Sequence, residues 1–147
     1  MVPQAALERL SVERRETQFR GVVEADGSAD AALRLWIVET PDGGPTGFAL
    51  SGPSRDDDLP AGAGEILAIY LEPALRGQGL GRPLFDRAVD DLRARGFDPL
   101  VVWVLVANVP ARRFYERAGW RADGASKPID FDGTPVDEVR YRSPARD

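Results

Sequence analysis

The sequence contains no cysteine and no histidine. Without cysteine there is no disulfide, no thiolate metal site and no cysteine nucleophile, and such a composition is typical of a cytoplasmic protein. Without histidine the chain lacks the commonest general base and metal ligand of proteins. Together the two absences argue against a metalloenzyme.

Long apolar runs and an excess of positive charge are also missing. No segment approaches the roughly 18 apolar residues of a transmembrane helix. The N-terminal segment MVPQAALERL lacks the basic-then-apolar order of a signal peptide. The net charge of −5 argues against a nucleic-acid partner, since phosphate contacts need a basic face. We expect one cytoplasmic domain over residues 1–147.

The most informative stretch is 65–92. Its apolar run from Ile66 to Leu71 has the length and composition of a β-strand. The glycine-rich segment RGQGLGR follows at 76–82. Apolar residues then recur every four positions, which predicts a helix: Leu80, Leu84, Ala88 and Leu92. A strand, a glycine-rich turn and a helix in this order present backbone N–H groups to an anion.

The charges at the start of this helix favour a bound phosphate. A helix N-terminus prefers acidic residues, yet Arg76 and Arg82 flank the glycines here and the first acid is Asp86. The alternative is a glycine-rich turn with two solvated arginines. The segment is not a P-loop, because no lysine follows the glycines, and Gly77 to Gly81 is one residue short of a dinucleotide fingerprint.

The rest of the chain predicts a mixed, largely antiparallel sheet with helices on both faces, an α/β fold. Every residue from Leu100 to Ala107 is apolar, which is typical of a central strand covered on both faces. The other predicted elements are helices at 3–25 and 110–118 and strands at 33–39, 47–51, after Trp120 and at 136–142.

Two segments resemble the GCN5-related N-acetyltransferase (GNAT) family. Arg76, Gly79 and Gly81 match its acetyl-CoA motif, R/Q-x-x-G-x-G/A. The segment NVPARRFYERAGW resembles its N-x-x-A-x-x-x-Y-x-x-x-G-F/W segment through Asn108, Ala111, Tyr115, Gly119 and Trp120. Both motifs lie in the family's order of elements, from its second helix to its last strand. The resemblance implies a GNAT fold with acetyl-CoA as co-substrate.

The chain departs from the family pattern at its N-terminus. The family normally has a strand and a helix before the helix predicted at 3–25, so either the start is mis-assigned or the domain is truncated. In the family, the helix that is missing here normally helps to form the acceptor pocket, and we expect its loss to affect substrate binding. An uncovered edge strand would also favour a homodimer.

The resemblance implies a cofactor site on the strand predicted at 66–71, here called the organising strand, and on the turn after it. The pyrophosphate would lie on the turn, with two arginines as neutralising charges: Arg76, Gly77, Gln78, Gly79, Leu80, Gly81 and Arg82. The pantetheine arm would pair with the main chain of Ile69, Tyr70 and Leu71, where a strand N–H can stabilise the oxyanion. Asn108 would bind the pantetheine amides, although helix capping is an equally common use of asparagine.

Tyr115 matches the family's general acid, which returns a proton to the CoA thiolate. A phenol with a pKa of about 10 is protonated at neutral pH. The alternative is a core tyrosine at helical spacing. The strand at 100–107 supplies no acidic residue as a general base. Glu65, at the start of the organising strand, is therefore the first candidate and Glu72 the second.

Other residues have competing interpretations. Asp56, Asp57 and Asp58 could attract a cationic amine, but an acidic run in a loop is more often solvated. Trp36, Trp120 and Phe131 could line the acceptor pocket or belong to the core. Arg112 and Arg113 could reach the CoA 3′-phosphate, although we favour a surface role.

The leading hypothesis is an N-acetyltransferase that transfers the acetyl group directly to a primary amine of a small molecule or peptide. A degenerate, non-catalytic acyl-CoA-binding module is the alternative. A generic nucleotide-binding α/β protein is a third and remote reading.

Overall fold

The structure, a computed structural model, describes residues 32–40, 44–71 and 81–145. The helix predicted at 3–25 and the turn at 76–80 lie outside the described residues, as does Glu72. Eight elements are described: β1 (Arg34–Thr40), β2 (Gly44–Pro53), β3 (Gly64–Leu71), α1 (Gly81–Ala94), β4 (Leu100–Leu105), α2 (Val109–Arg117), β5 (Arg121–Phe131) and β6 (Thr134–Arg142).

The strands form one sheet with the order β1-β2-β3-β4-β6-β5. All neighbours in this sheet are antiparallel except β3 and β4, which run parallel. The predicted mixed and largely antiparallel sheet is therefore confirmed. β4 ends two residues before the predicted strand does, because a turn at 106–107 leads directly into α2.

The helix α1 forms because its apolar residues recur at a spacing of three or four. This spacing places one continuous stripe against the sheet: Leu84, Phe85, Ala88, Val89 and Leu92 are all buried. Pro83 lies in the first turn, where its missing N–H removes no helical hydrogen bond. Past the last turn, Gly96 has a φ of 89°, a conformation that favours glycine at a helix end.

Both described helices contribute to one principal core. The ring of Phe85 on α1 lies 5.4 Å from that of Phe114 and 5.7 Å from that of Tyr115, both on α2. Its ring also lies 5.1 Å from the buried Trp120, which is therefore a core residue. Trp36 of β1 packs against the same core. The aromatic contacts fix α1 and α2 side by side on the sheet.

A second, smaller cluster lies on the opposite side of the strands. Leu35 of β1 and Phe48 of β2 are buried there. Side chains alternate between the two faces of a strand, so the neighbouring Trp36 and Ala49 belong to the principal core instead. Among the described residues, no helix has both the length and the apolar character needed to cross a membrane.

Replacing Phe85 by alanine should remove the contact between the two helices. We expect Phe85→Ala to lower the free energy of unfolding by about 3–5 kcal/mol, because the ring is buried and a cavity would remain. Urea denaturation measures the change. Asp90→Ala, an exposed position on the same helix, should change stability by less than about 0.5 kcal/mol. Equal effects of the two substitutions would contradict this packing.

Candidate active site

The central feature of the sheet is an opening between β3 and β4. The two strands pair over only three positions, Gly64↔Leu100, Glu65↔Val101 and Ile66↔Val102. β3 then continues to Leu71 and β4 to Leu105 without further pairing between them. Within the described ranges, these two central strands therefore do not pair with each other beyond Ile66.

A β-bulge in β3 lies where this opening begins. Leu50 of β2 pairs with Ala68 and Ser51 pairs with Ile66, so Leu67 is an extra residue in β3. A bulge bends its strand and increases the local twist. The bend begins where pairing with β4 stops, and it turns the second half of β3 away from β4.

A cavity of about 290 Å³ occupies the opening. Consecutive residues of both strands line it, from Ile66 to Ile69 on β3 and from Val102 to Val104 on β4. Since successive side chains of a strand point to opposite faces, consecutive lining residues mean that the strand edges themselves bound the cavity. An extended ligand with amide groups could pair with such an edge as an added strand.

Glu65 lies at the closed end of this opening. Its side chain lines the cavity, and the residue is only 4% exposed. The backbone N–H of Arg55 donates to Glu65 Oε1 over 3.3 Å. Burial raises the pKa of this carboxyl above its ordinary value. A carboxylate with a raised pKa is suited to accept a proton near neutral pH.

Tyr115 reaches the same cavity from α2. The residue is 4% exposed, and its ring packs on Phe114 and on Tyr141. Burial raises the pKa of its phenol, so the hydroxyl is protonated at neutral pH. Tyr115 is therefore both a core residue and a cavity residue, and the two interpretations of its position hold together.

Asn108 caps α2 and also lines the cavity. Its position is therefore compatible with both of the roles predicted for it. Its side-chain oxygen accepts a hydrogen bond from the backbone N–H of Ala111 over 3.3 Å. This bond satisfies one of the N–H groups that a helix start leaves without a partner. The cap fixes the start of α2, and with it the place of Tyr115.

The other predicted cofactor residues fall into three groups. Ile69 lines the cavity, whereas Tyr70 packs with Phe48 on the opposite face at a ring distance of 6.0 Å, and Leu71 ends β3. Gly81 begins α1, and the exposed Arg82 pairs with Asp86 over 2.9 Å. Five residues of the turn lie outside the described residues: Arg76, Gly77, Gln78, Gly79 and Leu80.

The acidic loop is not simply solvated: two of its three acids are paired with an arginine, and for the largely buried Asp56 the expectation of a solvated side chain is wrong, whereas Asp58 is paired but still exposed. The guanidinium of Arg140 on β6 is bound by Asp58 at 2.8 Å and by Asp56 at 3.1 Å. The hydrogen bond from Arg140 lowers the pKa of the Asp58 carboxyl. Asp57 remains exposed. Because Asp56 and Asp58 are already paired with Arg140, they are poorly placed to attract an acceptor amine.

The contacts of Arg140 extend across the sheet. Its Nε donates to Asp123 on β5 over 2.7 Å, and the indole N–H of Trp103 on β4 donates to Asp56 over 2.9 Å. Arg140 itself is 4% exposed. A buried charge of this kind is tolerated only when it is fully paired. The network fixes the loop beside Arg55, whose N–H binds Glu65.

Arg112 anchors α2 and does not simply decorate a surface. It donates to the hydroxyl of Tyr141 over 3.1 Å and to the carbonyl of Val106 over 3.0 Å. The hydroxyl of Tyr141 in turn donates to Glu116 over 2.7 Å. Arg113 is exposed, as predicted. The side chain of Phe131 is outside the described residues.

Several cavity residues were not identified from the sequence. Trp103 lines the cavity from β4, and five further lining residues come from the acidic loop and the β5–β6 hairpin: Arg55, Lys127, Ile129, Asp130 and Glu138. Glu138 stands out only in the structure, where it is buried although glutamate is rarely buried. Within the described ranges, no group of three or more acidic side chains is arranged to hold a metal ion.

Comparison with known proteins gives consistent matches. The model of the acetyltransferase (GNAT) family matches residues 5–120. Mycothiol acetyltransferase of Beutenbergia cavernae is 35% identical over 118 residues, which cover 78% of this chain but 33% of that protein. The chain thus spans about a third of the length of this curated relative.

Solved structures show the same architecture. Nourseothricin acetyltransferase has a TM-score of 0.65 at 27% identity, over 78% of this chain and 66% of that one. YncA from Salmonella typhimurium, solved with its cofactor acetyl-CoA, has a TM-score of 0.67 at 23% identity, over 92% of this chain and 77% of that one. With the family match covering residues 5–120 and the same fold in these structures, the chain belongs to the GNAT family of acetyltransferases.

Proposed function

We propose that this protein transfers the acetyl group of acetyl-CoA directly to a primary amine of a small molecule or peptide. The observation that carries the proposal is the meeting of Glu65 and Tyr115 in one cavity at the β3–β4 opening. One is a buried carboxylate that can accept a proton, and the other is a protonated phenol that can donate one.

The opening between β3 and β4 supports a position for acetyl-CoA. The pantetheine arm would pair with the backbone of β3 beyond the bulge, at Ile69, Tyr70 and Leu71, with Asn108 close by in the cavity wall. The pyrophosphate would lie at the start of α1, where Gly81 and Arg82 are the first residues and no acid occupies the first turn. A helix start without acids is suited to a bound anion. Residues 76–80 complete this proposed site.

The proposed reaction needs three proton transfers. Glu65 takes a proton from the acceptor ammonium, directly or through water, and the neutral amine attacks the thioester carbonyl. A backbone N–H on the open edge of β3 stabilises the oxyanion. The C–S bond then breaks, and Tyr115 gives its proton to the departing thiolate. The second N–H proton of the former ammonium passes to the tyrosinate, directly or through water, which leaves a neutral amide. The sequence contains no cysteine to carry a covalent acetyl intermediate, so the transfer is direct.

We also propose that residues 1–147 form one domain, that the protein is cytoplasmic and that it forms a homodimer. Within the described residues β1 is at the edge of the sheet, and an edge strand offers a surface for a second copy. Sedimentation equilibrium tests the dimer, and cell fractionation tests the location.

If the pyrophosphate lies at the start of α1, removing the side chain of Arg82 should weaken acetyl-CoA binding. We expect Arg82→Ala to weaken acetyl-CoA binding about tenfold, the loss of roughly 1.4 kcal/mol expected for a charge-assisted contact. Calorimetric titration measures it. Arg117→Ala, an exposed arginine at the end of α2, should leave binding unchanged. ATP binding as tight as acetyl-CoA binding would contradict the proposed cofactor and favour a generic nucleotide-binding protein.

Tyr115→Phe separates an enzyme from a non-catalytic acyl-CoA-binding module. We expect kcat to fall by about 10²–10⁴ because the general acid is lost, while acetyl-CoA binding is kept. Tyr141→Phe is the matched control, since that hydroxyl is bound to Arg112 and Glu116 and does not line the cavity. It should retain turnover. Acetyl-CoA binding without turnover by the unmodified protein, over a broad panel of amines, would favour the module.

The raised pKa of Glu65 predicts the pH dependence. Because burial favours the protonated form, the active carboxylate forms only at a pH above the ordinary range of glutamate. We expect kcat/KM to rise with pH through this raised pKa, and Glu65→Gln to remove that acidic limb. Glu138→Gln, a second buried glutamate of the cavity, should keep the limb. The reverse pattern would assign the base to Glu138.

A further inference from the structure

The chain contains a single lysine, Lys127, and all its other basic residues are arginines. This difference matters chemically. The guanidinium of arginine stays protonated in proteins, whereas the ammonium of lysine can lose a proton and become a nucleophile. Lys127 is therefore the only side-chain primary amine in a protein that we propose to acetylate primary amines.

This one amine lies in the wall of the candidate active site. Lys127 is on β5, opposite Glu138 of β6, and it lines the cavity that also contains Glu65 and Tyr115. A volume of about 290 Å³ is at the lower end for small-molecule pockets, so these groups share a confined space. No other side chain of the sequence brings an amine to this cavity.

The ammonium of Lys127 is held on an aromatic face inside this wall. Its Nζ lies 4.1 Å from the ring centroid of Trp103, which itself lines the cavity from β4. That separation is within the range of a cation–π contact. Lys127 is nevertheless exposed as a residue, and its flexible four-carbon stem can leave this contact.

The charge of Lys127 also acts on Glu65, the candidate base. Burial is the largest influence on the pKa of Glu65 and raises it, while the charge of Lys127 is among the influences that lower it. The amine and the carboxylate therefore interact across the cavity.

We propose that Lys127 is an internal acetyl acceptor, so that the protein acetylates itself at this residue. The inference rests on the proposed function. Glu65 takes one proton from the Lys127 ammonium, and Nζ attacks the thioester carbonyl of acetyl-CoA. An N–C bond forms and the C–S bond breaks. CoA leaves as a thiolate that takes the proton of Tyr115, and the tyrosinate takes the second proton of the former ammonium, directly or through water. Lys127 becomes a neutral amide that has lost its cation–π contact with Trp103.

Peptide mapping by mass spectrometry after incubation with acetyl-CoA tests this inference. We expect one acetyl group on Lys127, added at least about tenfold faster than on the α-amine of the same chain. This order is diagnostic, because an α-amine has a pKa of about 8 against about 10.4 for lysine, and uncatalysed acetylation therefore favours the α-amine. The rate constant should not depend on protein concentration, since the acceptor is internal.

Two variants control the experiment. Lys127→Arg keeps a cation beside Trp103 but removes the nucleophile, so it should remain unmodified at this position. Tyr115→Phe keeps Lys127 and should slow its acetylation by about 10² or more. Circular dichroism on each variant confirms that it is folded before its rate is compared.

Three results would overturn the inference. Lys127 acetylation as slow as that of the α-amine, and unchanged in Tyr115→Phe, would show uncatalysed chemistry only. Transfer to added amines with Lys127 unmodified would leave the proposed function standing and remove the self-acetylation. No transfer to any amine, Lys127 included, despite bound acetyl-CoA, would overturn both.

Discussion

The separation of β3 from β4 is the constraint on which the rest of the structure depends. Pairing stops after Ile66, at the bulge of Leu67, although both strands continue. Backbone polar groups that are buried without partners cost free energy. An open edge in the middle of a sheet is therefore favourable only where something can pair with it, either water or an extended ligand with amide groups. The same opening creates the cavity that holds Glu65 and Tyr115.

The far side of the cavity depends on a different interaction, the pairing of one buried guanidinium. Arg140 would be strongly destabilising on its own at 4% exposure, and its three carboxylate partners come from the loop at 54–63 and from β5. Pairing Arg140 thus fixes the loop against β6. The loop contributes the N–H of Arg55 to Glu65, so the environment of the candidate base is set by a residue on another strand.

The local pattern of the sequence predicted those features that depend on residues close together in the chain. Strand and helix periods located all six described strands and both described helices, and the motif that contains Tyr115 identified a true cavity residue. Contacts between distant segments were not predictable in this way. Asp56 was expected to be solvated, but its partner Arg140 lies 84 positions away. Lys127 and Glu138 reach the cavity only through the pairing of β5 and β6 next to β4.

A chain without histidine or cysteine must find its acid and base among groups whose ordinary pKa values are far from neutral. Burial shifts both candidates upward, toward neutrality for Glu65 and away from it for Tyr115. The first shift makes a better base, while the second makes a weaker acid. In the proposed mechanism the departing thiolate is also partly removed from water, which raises the pKa of its conjugate thiol. Both pKa values on the acid side rise, so the shift of the thiol offsets part of the shift of Tyr115. Proton transfer from Tyr115 to the thiolate is therefore disfavoured less than the shift of Tyr115 alone implies.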